Sequence, residues 1–309
     1  MNNKYTLSHS IHIISEKLHA VYQDKQLCNQ YAIWILQAIC NTSMAELLAQ
    51  KTLMLSPEQQ QTIDEWLHKL IDEKMPLQYL LGSVPFANLD ILVEPPILIP
   101  RPETEEWSLK VIEQMKLLDN KKVLILDLAT GSGCIALALA SQLPQAAVVA
   151  TDIAEKALEL AEKNREHNAL HNVTFIQSDL FEALPQDIQF DLIVCNPPYI
   201  SFEEFKTLDE TVTKWEDYGA LVADDNGLAI IKKIIAQAPQ FIQTNNEMKQ
   251  KKIPQLVIEI GYDQGAAVQK IMKESGYNNI LIHKDLEQKD RFVTGRIDTW
   301  HSFHSSKMS

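Results

Sequence analysis

The fold is decided by VLILDLATGSGC, residues 123 to 134, and by the run IALALA that follows it at residues 135 to 140. The first part predicts a strand that ends near residue 126, and the second run predicts a helix. Between them, Gly131 and Gly133 allow the backbone to approach a ligand closely, and the helix N-terminus offers unpaired N–H groups. A strand, a glycine-containing turn and a helix in this order are typical of nucleotide-binding sites.

Two further predicted strands end in acidic residues and narrow the choice of ligand. The run VVATD at 148 to 152 places Asp152 about 20 residues beyond the turn, where an acid is suited to bind a ribose diol. The run at 173 to 179 ends in Asp179.

A dinucleotide is the rival ligand, but the motif G-x-G-x-x-G is missing because Ala129 stands where its first glycine is expected. We therefore predict a site for S-adenosylmethionine rather than a purely structural turn.

The tetrapeptide Asn196-Pro197-Pro198-Tyr199 follows the apolar run FDLIVC at 190 to 195. An amide or exocyclic amine nitrogen is a poor nucleophile because its lone pair is delocalised, so a catalyst has to hold its N–H groups and aim the lone pair. The Asn196 side-chain oxygen and a main-chain carbonyl are suitable acceptors, the prolines restrict the turn, and the Tyr199 ring can cover a flat group. The pattern indicates methylation of a planar nitrogen, and its structural alternative is an ordinary turn after a strand.

Several motifs elsewhere in the chain accompany the glycine turn and the tetrapeptide. They are PLQYLLG at 76 to 82, ILIPRPETE at 97 to 105, EIG at 259 to 261, and Gln264-Gly265. With these motifs, residues 76 to 297 resemble the release factor glutamine methyltransferases, the PrmC/HemK family. IPRPETE discriminates most, because N-P-P-Y also occurs in amino-methyltransferases of DNA adenine and cytosine and in some RNA methyltransferases.

The resemblance implies transfer of a methyl group from S-adenosylmethionine to the side-chain amide nitrogen, N5, of the glutamine in the Gly-Gly-Gln motif of peptide chain release factors. The catalytic residues would be Asn196, Pro197 and Tyr199, and the glutamine would be held by Asn196, Pro197, Pro198 and Tyr199. The residues expected to bind the cofactor are Ala129, Thr130, Gly131, Ser132, Gly133, Asp152, Asp179, Leu180 and Asn196. Among them, the turn would surround the methionine part, Asp152 would bind the ribose, and Leu180 would lie near the adenine.

Two positions depart from the family pattern. Ala129 replaces the first glycine of the turn and adds one methyl group beside the cofactor, so we expect weaker cofactor binding at most. Asp217 stands where the family usually has proline, and we expect it to affect only the conformation of its loop.

The alternation of strand-like and helix-like segments, together with the resemblance, predicts an α/β protein. The fold class is the class I, Rossmann-like methyltransferase fold with a seven-stranded, mostly parallel sheet. Residues 1 to 75 predict an N-terminal helical bundle, which the resemblance implies binds the substrate, residues 76 to 100 a β-hairpin linker, and residues 101 to 309 the methyltransferase domain with a short C-terminal tail.

Local signals add detail to this division. Helices are predicted throughout residues 8 to 73, with capping boxes formed by Ser43 with Glu46 and by Ser56 with Gln59. The stretch from 243 to 252 predicts a solvated loop, and residues 301 to 309 predict a disordered tail.

Composition indicates a sizeable core and an acidic surface. With 309 residues, of which 46% are hydrophobic, the chain can fill a Rossmann-sized core and a smaller second domain. A formal net charge of −13 disfavours a protein that grips nucleic acid through many phosphates and suits a basic protein partner. We expect release factors as partners, no direct contact with nucleic acid, and a monomer.

The sequence indicates neither a metal site nor a membrane segment. The nine histidines form no H-x-x-x-H or H-E-x-x-H pattern. Cys28, Cys40, Cys134 and Cys195 show no C-x-x-C spacing and are expected to be reduced, buried thiols. No 18-residue apolar stretch and no signal or transit peptide is evident, so we expect no membrane association and a cytoplasmic location.

Several alternatives remain open. A nucleic-acid amino-methyltransferase would share the tetrapeptide, and a non-catalytic cofactor-binding or scaffold protein would share the glycine turn. Cys195, beside Asn196, is either a catalytic thiol or the last residue of a strand. In ILIPRPETE, Thr104 and Glu105 either cap a helix or lie near the cofactor sulfonium or the substrate.

Overall fold

The structure, a computed structural model, describes residues 4–49, 52–118, 121–243 and 246–297. Its strands are β1 Lys4–Thr6, β2 Thr52–Met54, β3 Ser83–Phe86, β4 Leu89–Leu92, β5 Leu124–Leu128, β6 Ala147–Asp152, β7 Val173–Gln177, β8 Leu192–Cys195, β9 Leu256–Glu259, β10 Asn278–Lys284 and β11 Asp290–Arg296. Its helices are α1 Leu7–Tyr22, α2 Lys25–Cys40, α3 Met44–Ala49, α4 Pro57–Ile71, α5 Leu77–Leu81, α6 Pro102–Lys116, α7 Cys134–Gln142, α8 Glu155–His167, α9 Phe202–Phe205, α10 Glu210–Thr213, α11 Tyr218–Leu221, α12 Ala229–Gln237, α13 Asn246–Gln250 and α14 Gly265–Glu274, with a 3-10 turn at Ala238–Gln240.

One compact unit, the helical unit, contains the chain up to Gly82 together with Asp209–Trp215. Apolar residues at helical spacing on α1, α2 and α4 form its core, in which Leu18 is fully buried. The indole Nε1 of Trp215 donates to the backbone oxygen of Glu73 over 3.0 Å. The segment that contains α10 is thus attached to the end of α4.

Both predicted capping boxes are confirmed. Ser56 Oγ accepts from Gln59 N over 3.2 Å, and Ser56 N donates to Gln59 Oε1 over 2.9 Å. At α3, Ser43 Oγ accepts from Glu46 N over 3.2 Å, and Ser43 N donates to Glu46 Oε2 over 2.9 Å. Each pair satisfies backbone N–H groups that a helix N-terminus leaves without partners.

The prediction that residues 8 to 73 form helices alone is wrong at β2. This strand pairs antiparallel with β1, so the helical unit also contains a two-stranded sheet. A three-residue strand is too short to show a period of two, and its partner lies far away along the chain.

The predicted hairpin is confirmed by β3 and β4, which pair antiparallel. Its two turn residues, Ala87 and Asn88, have φ angles of 50° and 68°, the left-handed values that a tight two-residue connection requires. Glu105 Oε1 accepts from the backbone N–H of Ala87 over 2.7 Å. A residue in the first turns of α6 therefore holds the tip of the hairpin.

The second unit, Ser83–Leu208 and the chain from Glu216 onward, is built on a seven-stranded sheet. The strand order is β10-β11-β9-β8-β5-β6-β7. Neighbouring strands from β9 to β7 are parallel, whereas β11 is antiparallel to both β9 and β10. This confirms the predicted fold class. Because the strand order reverses at β5, a ligand crevice is expected at the carboxyl ends of β5 and β8.

The core of this unit lies on both faces of the sheet. One cluster includes Trp107 of α6 and the buried residues of α7, and the other includes Ile231, Ile234 and Ile235 of α12. Every residue of β8 and β9 is buried. Burial on both faces explains why these two strands read as continuous apolar runs with no alternation.

The predicted solvated loop at 243 to 252 is wrong where the structure describes it. Residues from 246 form α13, and the side chain of Met248 is fully buried. The polar composition of this stretch concealed a single apolar anchor. The predicted tail at 301 to 309 lies outside the described residues. Within the described ranges, no helix has both the length and the apolar character needed to cross a membrane.

Candidate active site

A cleft with a volume of about 390 Å³ lies at the carboxyl ends of four parallel strands. Ala129 follows β5, Asp152 ends β6, Asp179 lies after β7, and Asn196 follows β8. The lining also includes Ile97, Leu98, Gly131, Leu180, Pro198 and Asp217. A cleft of this size with apolar walls and a few polar groups suits a small organic ligand.

The glycine turn between β5 and α7 is shaped by close backbone contacts. Gly131 N donates to Asp152 Oδ2 over 2.8 Å. Gly133 has a φ of 83°, and a Cβ there would lie 3.0 Å from the Cβ of Ala161. Ala129 also adopts a left-handed conformation, with a φ of 53°. The alanine at the expected glycine position therefore carries backbone strain of about 1 kcal/mol.

Thr130 and Ser132 are buried and do not line the cleft. Thr130 Oγ1 donates to Asp127 Oδ2 over 2.6 Å, and Asn164 Nδ2 donates to Ser132 O over 2.9 Å. Burial raises the pKa of Asp127 to about 7, against the hydrogen bonds that it accepts. These residues form the framework of the turn, and direct cofactor contacts from Thr130, Ser132 and Gly133 stay a prediction.

Asp152 faces the cleft with a carboxylate that two backbone donors hold in place. Its Oδ2 accepts from Gly131 N over 2.8 Å, and its Oδ1 accepts from Ala154 N over 2.9 Å. Burial raises its pKa, and the negative charge of Asp217 acts in the same direction. Asp217 lines the same cleft and accepts from Gly219 N over 2.8 Å. This departure from the family pattern therefore adds a carboxylate to the cleft, beyond its effect on the loop.

The tetrapeptide begins directly after β8. Asn196 and Pro198 line the cleft, whereas Pro197 is buried. The hydroxyl of Tyr199 donates to Glu259 Oε1 over 3.1 Å. Burial raises the pKa of Tyr199, and the charge of Glu259 raises it further, so the hydroxyl keeps its proton at neutral pH.

Gln264, for which sequence analysis predicted no role, ties the tetrapeptide to two neighbouring loops. Its Nε2 donates to Tyr199 O over 2.9 Å and to Asn226 O over 3.2 Å, while its Oε1 accepts from Gly261 N over 2.9 Å. Gly227 lies against the same carbonyl, because a Cβ built on Gly227 would overlap with Tyr199 O. The motif containing Gln264 was noticed in the sequence, but the loops it joins are distant along the chain.

The acidic turn of ILIPRPETE does not line the cleft. Glu105 binds the hairpin tip, and Thr104 is buried with its Oγ1 donating to Glu259 Oε2 over 2.7 Å. Trp107 Nε1 donates to the same oxygen over 2.6 Å. Asn196 Nδ2 in turn donates to Thr104 Oγ1 over 3.3 Å. Sequence analysis missed the roles of Glu259 and Trp107, although an acid in the buried strand LVIE was an available signal.

The four cysteines are free thiols: Cys28, Cys134 and Cys195 are buried, and Cys40 is half-buried. Burial raises the pKa of Cys195 well above its ordinary value. This removes the catalytic-thiol alternative, because the reactive form of cysteine is the thiolate. Among the side chains that the structure describes, no group of His, Cys, Asp and Glu is arranged to hold a metal ion.

Two family models match separate parts of the chain. The Methyltransferase small domain matches residues 109–214, and the PrmC N-terminal domain matches residues 16–82.

Three curated relatives carry the name release factor glutamine methyltransferase. The protein of Vibrio cholerae serotype O1 is 40% identical over 224 residues, which are 72% of this chain and 74% of the relative. The protein of Lactococcus lactis subsp. lactis is 41% identical over 229 residues, which are 73% of this chain and 79% of the relative. That of Flavobacterium psychrophilum is 33% identical over 282 residues, which are 90% of this chain and 94% of the relative.

Proposed function

This chain belongs to the release factor glutamine methyltransferase family, and from that membership we propose that Asn196 to Tyr199 hold the glutamine to be methylated. The enzyme uses S-adenosylmethionine to methylate a release factor glutamine. The acceptor is the side-chain amide nitrogen, N5, of the glutamine in the Gly-Gly-Gln motif. The observation that carries the proposal is the position of Asn196 at the cleft, with its amide nitrogen bonded to Thr104.

The residues of the cleft fit S-adenosylmethionine. The volume of the cleft is sufficient for this ligand. Asp152 offers the ribose hydroxyls a carboxylate that backbone donors already hold in place. Leu180 would contact the adenine beside Asp179, and the backbone at Gly131 would approach the methionine part. When bound, S-adenosylmethionine supplies a sulfonium methyl group that is already activated for transfer.

The chain's own residues then have to orient the glutamine. Asn196 Oδ1 and the carbonyl of Pro197 would accept the two N–H groups of its amide, which aims the nitrogen lone pair and favours a pyramidal nitrogen. In this orientation the glutamine nitrogen would be placed to accept the methyl group that S-adenosylmethionine supplies, with the thioether as the leaving group, and its extra proton would leave for water. No general base is needed before the attack, so the site works through position and exclusion of water.

The test is methylation of an unmethylated release factor by the purified protein, with mass spectrometry to locate the methyl group. We expect one methyl group on the glutamine of the Gly-Gly-Gln peptide. Asn196→Ala should lower turnover by roughly 100-fold or more, because an essential preorganised acceptor is lost. Calorimetry should show that the variant still binds S-adenosylmethionine in part.

A release factor whose Gly-Gly-Gln glutamine is replaced by alanine is the substrate control and should stay unmethylated. Methylation at the wild-type rate by Asn196→Ala would contradict the clamp. Transfer to DNA or RNA with none to the release factor would favour the nucleic-acid amino-methyltransferase alternative. Cofactor binding without any acceptor would favour the scaffold alternative.

The helical unit, we further propose, binds the body of the release factor, and the enzyme acts in the cytoplasm as a monomer without contacting nucleic acid. The match of residues 16–82 to the PrmC N-terminal domain supports the role of the helical unit, and the formal net charge of −13 supports the absence of nucleic-acid contact. Hydrogen exchange in the presence of the release factor should show protection in α1 to α4, and protection confined to the second unit would contradict the assignment. Sedimentation should give a mass near 35.1 kDa.

A further inference from the structure

Glu259, at the end of β9, is a buried carboxylate that receives three hydrogen bonds. Thr104 Oγ1 and Trp107 Nε1 of α6 donate to its Oε2 over 2.7 and 2.6 Å, and Tyr199 donates to its Oε1 over 3.1 Å. Glu259 is 1% exposed, and burial raises its pKa against these bonds. Three converging donors match the ionised form, because a carboxylate only accepts hydrogen bonds.

The Glu259 carboxylate determines which group donates in the hydrogen bond between Thr104 and Asn196. The Thr104 hydroxyl has one hydrogen, which it gives to Glu259, so its oxygen is left to accept. Asn196 must therefore present its NH₂ end, and its Nδ2 lies 3.3 Å from Thr104 Oγ1. The two ends of a side-chain amide are nearly equal in size, so packing alone would select neither. The polarity of this chain of bonds directs the Asn196 oxygen away from Thr104.

Packing against the sheet does not by itself account for this cluster. Neither Thr104 nor Glu259 lines the cleft, whereas Asn196, which is bonded to Thr104, does. A buried charge can often be replaced by apolar residues of similar volume without loss of stability. The charge of nearby Arg291, which pairs with Asp285 over 2.9 Å, favours the ionised carboxylate. A buried carboxylate on which three side chains converge suits a role in orienting its neighbours.

We propose that Glu259 and Thr104 are positioning residues that hold the Asn196 amide in the orientation that methyl transfer needs. One arm runs from Glu259 through Thr104 to Asn196, and the other runs from Glu259 to the Tyr199 hydroxyl. Both ends of the tetrapeptide are thus oriented by one carboxylate. The proposal rests on the proposed function, in which Asn196 Oδ1 accepts from the glutamine amide. A reversed Asn196 would direct its NH₂ group at the NH₂ group of the substrate and repel it.

The first test compares Thr104→Val with Thr104→Ser. Valine keeps the branched shape of threonine and removes the hydroxyl, whereas serine keeps the hydroxyl and removes the methyl group. We expect Thr104→Val to lower kcat by roughly 10- to 100-fold, because Asn196 loses the partner that orients it. Its KM for the release factor and its Kd for S-adenosylmethionine should change by less than about threefold. Thr104→Ser should restore kcat to within about threefold of the wild type.

Two results would overturn the proposal. One is a wild-type kcat for a folded Thr104→Val enzyme, which would show that the orientation of Asn196 does not depend on Thr104. The other is an equal loss of kcat, cofactor affinity and thermal stability in both variants, which would indicate packing alone.

Asn196→Ala is measured alongside the two Thr104 variants. If it methylates normally, the clamp of the proposed function fails, whereas a dead Asn196→Ala beside an active Thr104→Val refutes only the positioning role.

Glu259→Gln tests the role of the Glu259 charge independently of Thr104. It also takes the place of Thr104→Val as the test if that variant does not fold. The glutamine oxygen can still accept from Thr104 and Trp107, so its NH₂ group must face Tyr199, whose hydroxyl has to reverse. We expect kcat to fall by roughly tenfold, less than in Thr104→Val, with cofactor affinity retained. An unchanged kcat in Glu259→Gln overturns the role of the charge.

Discussion

At the scale of single residues, the cleft contains carboxylates whose burial disfavours their charged form. The N–H groups of Gly131 and Ala154 hold the Asp152 carboxylate in one orientation, in which we propose that it binds the ribose. Burial still raises its pKa, and Asp217 adds a second negative charge nearby. Ribose hydroxyls that donate to Asp152 would offset part of the free-energy cost of burying its charge.

Replacement of Asp152 by alanine removes the proposed acceptor for the ribose and the partner of Gly131 N. Hydrogen bonds to charged groups contribute about 1.5–3 kcal/mol, so the Kd for S-adenosylmethionine should rise roughly 10- to 100-fold. Isothermal titration calorimetry measures this directly. The matched control is Asp187→Ala, because Asp187 is exposed and does not line the cleft. Equal affinities in the two variants would reject the ribose role.

At the scale of elements, the tetrapeptide is held by loops rather than by its own strand. Gln264 joins the carbonyls of Tyr199 and Asn226, and Gly227 packs directly beneath the first of these carbonyls. Arg101, just before α6, donates from Nη2 to the buried carboxylate of Glu216 over 2.6 Å. These bonds connect the segments before α6, after β8 and after β9.

Gly227→Ala should disrupt the tetrapeptide more than an equally strained glycine elsewhere. Gly227 and Gly276 have φ angles of 81° and 87°, so alanine costs about 1–2 kcal/mol of backbone energy at either position. A Cβ at Gly276 meets nothing within 4 Å, whereas one at Gly227 overlaps with Tyr199 O. We expect only Gly227→Ala to lower kcat, by roughly 100-fold.

Urea unfolding and steady-state methylation, measured on both glycine variants, separate strain from displacement. Gly227→Ala should lose more stability than Gly276→Ala, because only its Cβ overlaps with a backbone carbonyl, and only Gly227→Ala should also lose kcat. Equal kcat values would mean that the tetrapeptide tolerates displacement at Tyr199.

At the scale of the whole molecule, net charge shapes the encounter with the substrate. A formal charge of −13 on 309 residues repels polyanions and attracts a basic protein at long range. Screening at high ionic strength shortens that attraction to a few ångströms.

Raising NaCl from about 50 to about 300 mM should therefore lower kcat/KM for the release factor by roughly tenfold, through slower association. The cofactor Kd, measured by calorimetry at both salt concentrations, serves as the control and should change far less. A kcat/KM that stays constant or increases with salt would contradict the electrostatic attraction to a basic partner.

The sequence by itself determined the fold class, the hairpin, the capping boxes and the strand ends that form the cleft. The hairpin, the capping boxes and the strand ends depend on patterns within a short window: apolar periodicity, a glycine turn, or a cap and its partner three residues on. The fold class depends on the order of such segments together with the resemblance to a known family. Patterns this local did not reveal β2, whose partner is distant, or α13, whose helix depends on the burial of Met248.

Only the tertiary structure brought together Thr104, Glu259 and Tyr199. Thr104 and Glu259 are 155 residues apart in the chain, and their hydrogen bond exists because α6 packs where β9 ends. Because Thr104 donates its one hydrogen to Glu259, the bond between Asn196 and Thr104 runs from the Asn196 amide nitrogen to the Thr104 oxygen. Hydrogen-bond polarity across separate elements depends on distances that no local pattern carries, so the orientation of the Asn196 amide is a property of the fold.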